Sequence, residues 1–121
     1  MKQWCQKFLQ GFYFAGRGVW RGFKERNMKV HAVMAIAVMF LGLIFNLNLT
    51  EWSIVLILIA LVFSAELLNT SIEELANVVK KKCNCDYEET RATRDLAAGG
   101  VLIMAFISAA VGLIIFLPKI F

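Results

Sequence analysis

The sequence predicts an all-α integral membrane protein, with three transmembrane helices preceded by an amphipathic helix lying in the membrane interface. Three observations predict it. Sixty per cent of the 121 residues are apolar, more than a soluble domain of this size buries. Those residues gather into three long runs, each able to cross a bilayer. The 13 lysines and arginines crowd at the ends of the runs and leave their middles free.

Residues 4–29 come first. Trp4, Phe8, Phe12, Ala15, Val19 and Phe23 recur at three- and four-residue spacing, and Lys7, Arg17, Arg21 and Lys24 lie mainly off that line. An aromatic face with basic flanks is the pattern of a helix lying in the plane of the interface. Gly11, Gly16, Gly18 and Gly22 weaken it and favour a bend or break. Residues 1–30 have no continuous apolar stretch and no small-residue cleavage site, so they read as mature protein rather than a signal peptide.

The first span is expected over 30–49, with His31 near its start and Asn46 and Asn48 near its end. His31 has no ligand partners in the sequence and reads as an interfacial side chain. The second is expected over 52–79, long enough to cross and then protrude by roughly two turns. The third is expected over 96–117, stopped by Pro118. Residues 80–94 are left as a charged cytoplasmic loop, and the whole chain, 1–121, as a single domain.

Orientation follows from the basic residues. Seven lie in the N-terminal segment and five between 80 and 94, against Lys119 alone at the other face. That asymmetry places the N-terminus and the 80–94 loop in the cytoplasm. It also accounts for the net charge of +4 without nucleic acid. Cys5, Cys83 and Cys85 then sit on the reducing side, as free thiols. Cys83 and Cys85 form C-x-C with no further ligands nearby, and read as ordinary loop residues.

The most informative residues lie on the second span. Taking Glu66 as zero, Asn69, Thr70, Glu73 and Asn77 fall within about 60° of it around the helix, a single polar stripe on an apolar cylinder. A charge deep in a span costs on the order of 3 kcal/mol on insertion scales, so such residues face a protein interior or a wet cavity. A hydrogen-bonding seam between helices would explain one amide, but explains two carboxylates and two amides poorly. Glu66 lies where a lipid alcohol can reach it. That position suits it to act as a general base. Glu73, nearer the cytoplasm, is placed to meet phosphates and a hard divalent cation. Glu25 precedes the first span at the same interface, where it is either a second metal ligand or a surface charge. Arg94 opens the third span, placed either to bind nucleotide phosphates or, with Arg91, to anchor the chain at the cytoplasmic face.

No familiar nucleotide loop is present. There is no G-x-x-x-x-G-K-[ST], and the glycines at 16, 18 and 22 miss G-x-G-x-x-G by one residue with no strand before them.

Glu66-Leu-Leu-Asn69-Thr-Ser-Ile-Glu73 resembles the E-[IL]-[IL]-N-[ST]-[AS]-I-E signature of the small prokaryotic diacylglycerol kinases. Glu25-Arg26-Asn27, followed by His31, is similar to the E-R-N-x-x-x-H element of their undecaprenol kinase branch, as is the C-terminal stretch ending in Pro118-Lys119. Arg94-Asp95 before small residues resembles the family's Lys-Asp-x-[AG]-[AG]. The resemblance covers nearly the whole chain. It implies a homotrimer in the bacterial cell membrane with active sites at subunit interfaces on the cytoplasmic side. It implies transfer of the γ-phosphate of ATP, with Mg²⁺, to a lipid hydroxyl. Undecaprenol is favoured as acceptor by branch, with diacylglycerol as the alternative.

Carried over residue by residue, Glu66 is the general base and Asn69 supports it. Glu73 and Glu25 hold the metal and the nucleotide, and Tyr87, Arg94 and Asp95 contact ATP. The sequence departs from the pattern in four places. Asn77 stands for the usual Asp, Arg94 for the usual Lys, and Asp86-Tyr87 for the usual Tyr-His, and the 80–94 segment is about three residues longer. These departures bear on nucleotide affinity and choice, and leave Glu66, Asn69 and Glu73 untouched. Two other classes remain open on residue chemistry. A small oligomeric cation or proton channel would need a ring of Glu66 side chains. A membrane adaptor would tolerate the loss of Glu66.

Overall fold

The computed structural model describes all 121 residues and contains four α-helices and no strand. They are α1 (Lys2–Gly22), α2 (Arg26–Ile44), α3 (Leu49–Cys83) and α4 (Tyr87–Ile120). The last three are long and apolar enough to cross a membrane.

In α1 the aromatic line forms as its spacing requires. Trp4 stacks on Phe8 at 5.4 Å between ring centres, and Phe8 meets Phe12 edge-on at 5.1 Å. The helix expected over 4–29 ends earlier, at Gly22, and the residues from Arg26 onward belong to α2. The chain turns at 23–25, and Glu25 is in extended backbone as the N-cap of α2. The turn follows a close approach: Gly22, the one buried residue of α1, lies against the Leu67 side chain, where any Cβ would collide with it. Just beyond, Phe23 packs edge-on against Phe63 at 5.3 Å, and Arg21 pairs with Glu74 at 2.9 Å. Only the end of α1 is tied to the rest of the chain.

α2 stops at Ile44, short of the expected 49. Asn46 takes a left-handed conformation (φ 50°), and Asn48 begins α3 with a capping box. The Glu51 N–H donates to Asn48 Oδ1 at 2.8 Å, and the Asn48 N–H donates to Glu51 Oε2 at 2.9 Å. α3 has 35 residues, about 52 Å of helix against roughly 30 Å of hydrocarbon. It therefore protrudes, as expected, and further than expected.

The 80–94 loop is likewise corrected. α3 runs on to Cys83, the left-handed Asn84 (φ 54°) ends it, and α4 begins at Tyr87. What remains of the loop is a turn of three residues. Charge explains the difference. Lys80, Lys81 and Lys82 occupy the last turn of α3, and Glu88 and Glu89 the first turn of α4. Each set complements the helix dipole at its own end, so polar sequence here extends helices into water. Pro118 does not stop α4, which continues to Ile120. A proline in the last turn removes one backbone donor, and Phe121 N–H resumes the ladder by donating to the Leu117 carbonyl.

α3 and α4 form an antiparallel hairpin with the most extensive packing in the molecule. At its far end Leu47, Val55, Ile115 and Phe116 make a small buried cluster, closed by Lys119 and Glu51 at 3.1 Å. Only 12 of 121 residues are buried, far fewer than a water-soluble chain of this length needs. The apolar flanks of α2, α3 and α4 are exposed along their lengths, as suits surfaces that meet lipid or other protein in a multi-pass membrane protein.

Candidate active site

The polar stripe lies on α3, at the end of the molecule that carries the turn before α4. Glu66 is 2% exposed and Asn69 4%, the two most buried polar side chains in the chain. Neither could be left at such a depth facing hydrocarbon. Glu73, one turn beyond Asn69, is half-buried and accepts a hydrogen bond from Asn69 Nδ2 at 3.3 Å. The amide's other atom, Oδ1, is buried without a partner. A buried acceptor left empty is costly unless something else donates to it.

His31 completes the inner part of the site. Its Nε2 lies 3.6 Å from Glu66 Oε2, a contact that joins α2 to α3. The expectation of a partnerless interfacial side chain is therefore corrected. The available signal was depth. His31 lies about 8 Å inside the start of α2, a depth similar to that expected for Glu66 on α3. Helical phase alone does not say which way the ring turns.

The outer part of the site is built where α3 and α4 emerge together. Arg94 donates through Nη2 to Asn77 Oδ1 at 2.8 Å and through Nε to Thr90 Oγ1 at 3.0 Å. Its guanidinium sits 4.8 Å from the centre of the Tyr87 ring, with the Lys80 ammonium 5.8 Å from the same ring. Thr90 and Asn77 were not expected to hold Arg94. The backbone turn at 84–86 brings them together, and a sequence read with a loop there cannot supply it. Arg91 pairs with Glu88 within α4 at 2.9 Å.

Glu25 and Asp95 are exposed and make no side-chain hydrogen bond or ion pair within the chain. Thr70 is half-buried and also lines a groove of about 330 Å³ between α1 and α3, with Ala15, Gly18, Leu67 and Leu68.

Beside the site, the Cys85 thiol is pushed up to about 12 by its contact with the Glu89 carboxylate, then by partial burial and Cys83. All three cysteines are free. No group of three or more His, Cys, Asp or Glu side chains clusters as a metal cage within the chain. Glu73 nonetheless suits a hard cation. One of its oxygens is held by Asn69 and the other takes no protein donor. Mg²⁺ commonly takes one or two carboxylates and fills its shell with phosphates and water.

From within the membrane outward the order is therefore buried carboxylate, buried amide, half-buried carboxylate and restrained arginine. Glu66 and Glu73 are thus about 10 Å apart along the helix, the buried carboxylate inside and the half-buried one toward Arg94.

The comparisons with known proteins bear on the family. The family model for prokaryotic diacylglycerol kinase matches residues 13–116. An undecaprenol kinase of Bacillus subtilis is 42% identical over 115 residues, 94% of this chain and 91% of that one. A diacylglycerol kinase of Synechocystis is 28% identical over 119 residues, 98% of this chain and 67% of that one. No solved structure matches the chain significantly. With its signature on α3 buried and aligned as described, the chain belongs to the prokaryotic diacylglycerol kinase family.

Proposed function

We propose that this lipid kinase transfers the γ-phosphate of MgATP to the terminal hydroxyl of undecaprenol, giving undecaprenyl phosphate. The observation that carries the reading is the continuous line from buried Glu66 through Asn69 to Glu73. The choice of acceptor is supported by the 42% identity to the Bacillus enzyme over nearly the full length of both chains.

In this reading the acceptor hydroxyl enters beside Glu66 and donates first to the empty Oδ1 of Asn69. Glu66 takes the hydroxyl proton as the oxygen bonds to the γ-phosphorus and the bond to ADP breaks. Glu73 and Glu25 would hold Mg²⁺, which would supply charge neutralisation at the phosphates. Arg94, fixed by Thr90 and Asn77, holds the phosphates as a preorganised cation. Tyr87 and Asp95 contact the rest of the nucleotide.

The chain acts as a single membrane kinase domain within a homotrimer, with sites between subunits on the cytoplasmic side. Two features support this. One protomer leaves most of its apolar flanks and Glu25 without partners. Twelve of the 13 basic residues lie before residue 30 or between 80 and 94, the segments that flank the site's end of α2, α3 and α4 in sequence. α1 lies in the interface, as its aromatic face and weak tie to α3 suit.

The test is transfer of radiolabelled γ-phosphate by the purified protein to a panel of lipid alcohols. Undecaprenol is the expected acceptor, and a strong preference for diacylglycerol would overturn the choice. Glu66→Gln should abolish transfer while MgATP still binds, and Glu73→Gln should weaken MgATP binding. Normal turnover by both variants would refute the assigned roles.

A further inference from the structure

We infer that His31 is the positioning residue for Glu66. Its imidazole holds one carboxylate oxygen from α2 and leaves the other free to take the acceptor proton. The inference rests on the lipid kinase reading, and adds to it a residue that acts through Glu66.

A histidine that merely anchored α2 in the interface would turn its ring outward to headgroups and water. His31 instead retains 21% side-chain exposure and faces a carboxylate that retains 2%. Glu66 cannot be held by its own helix. Asn69, one turn away, gives its donor to Glu73, and no lysine or arginine lies within ion-pair distance of Glu66. A carboxylate at that depth with no partner would be costly and would also be free to change rotamer. His31 Nε2 stands at 3.6 Å from Oε2. This is just beyond hydrogen-bond length, and an N–H donor at this position, on a neutral ring or a charged one, favours the carboxylate rotamer that faces it.

The contact also joins helices. α2 carries Glu25 at its N-cap and His31 about 9 Å further along. α3 carries the base. A contact between the two sets the azimuth of Glu66 relative to whatever binds near Glu25.

The experiment compares His31→Leu, His31→Gln and Glu66→Gln in the full-length protein in lipid. Initial rates are measured with undecaprenol and MgATP, with MgATP binding and thermal unfolding recorded in parallel. His31→Leu should lower kcat roughly 10- to 100-fold, the size of a misplaced reacting group. Its KM values should stay within about twofold of wild type, because neither substrate binds to His31. His31→Gln, which restores a donor at the same place, should recover most of the rate. Wild-type kcat in His31→Leu would overturn the inference. So would a rise in KM alone, a loss explained by unfolding, or a Gln variant as slow as the Leu variant. If Glu66→Gln is inactive while His31→Leu is normal, the inference fails and the kinase reading stands. If Glu66→Gln is active, the reading of Glu66 as base fails first.

Discussion

Arg94 donates to Asn77 Oδ1 across 2.8 Å, so the start of α4 is bonded to the emergent end of α3 by a cationic donor and a neutral acceptor. Asn77 leaves the guanidinium's charge uncancelled. Asn77→Asp would supply a carboxylate that competes with phosphate for Arg94. Exposed pairs of this kind are worth about 0.2–1 kcal/mol. The KM for MgATP should therefore rise by no more than about fivefold, with kcat nearly unchanged. A steady-state titration checks this, and tighter MgATP binding in the variant would exclude a phosphate-binding role for Arg94.

The stripe was legible because it is a property of one helix. Helical phase alone puts Glu66, Asn69 and Glu73 on one side, and their burial and the Asn69–Glu73 bond follow from that. The His31–Glu66 contact was not legible, because it depends on the register of α2 against α3, which no local pattern sets. The 80–94 segment was misread for a different reason. Charged sequence beside a span reads as loop if helices are assumed to end where lipid ends, yet α3 and α4 both continue into water. The number of helices survived these errors because long apolar runs are the strongest signal a membrane chain carries.

Gly42 should tolerate no side chain. A Cβ there would stand 2.8 Å from the Trp52 ring and 3.0 Å from Leu47, and the indole cannot fold away. Gly42→Ala should destabilise the α2–α3 turn by about 1–3 kcal/mol. Gly22→Ala should be milder, since its obstacle is the flexible end of Leu67. Gly11→Ala and Gly16→Ala meet open space and should stabilise α1 by about 0.5–1 kcal/mol each. Thermal unfolding in detergent ranks the four, and an unaffected Gly42→Ala would mean that the turn packs differently.

Cys85 should be a poor nucleophile. With its thiol pushed up to about 12, chiefly by Glu89, on the order of one molecule in ten thousand carries the thiolate at pH 8. A raised value means less thiolate at every pH below it, so alkylation should be slow and should quicken only in strong alkali. Glu89→Gln weakens the hydrogen bond that holds the proton on the thiol, removes the nearby charge as well, and should speed it. Mass-spectrometric labelling with iodoacetamide reads the rate at each cysteine. Equal rates at Cys85 in wild type and Glu89→Gln would show that the carboxylate is not the cause.

Glu51 separates stability from catalysis. It closes the capping box with Asn48 and pairs with Lys119 at 3.1 Å, tying the start of α3 to the end of α4. Glu51→Gln keeps an oxygen for the Asn48 N–H but loses the pair, so it and Lys119→Met should have similar, small effects of about 1 kcal/mol or less. Glu51→Ala loses both interactions and should lower the unfolding temperature more than either. None of the three should change kcat, because Glu51 lies about 33 Å along α3 from Glu73. Thermal unfolding and phosphoryl-transfer rates measured on the same preparations decide it. A fall in kcat without a fall in stability would mean that the two ends of the α3–α4 hairpin are coupled through its packing.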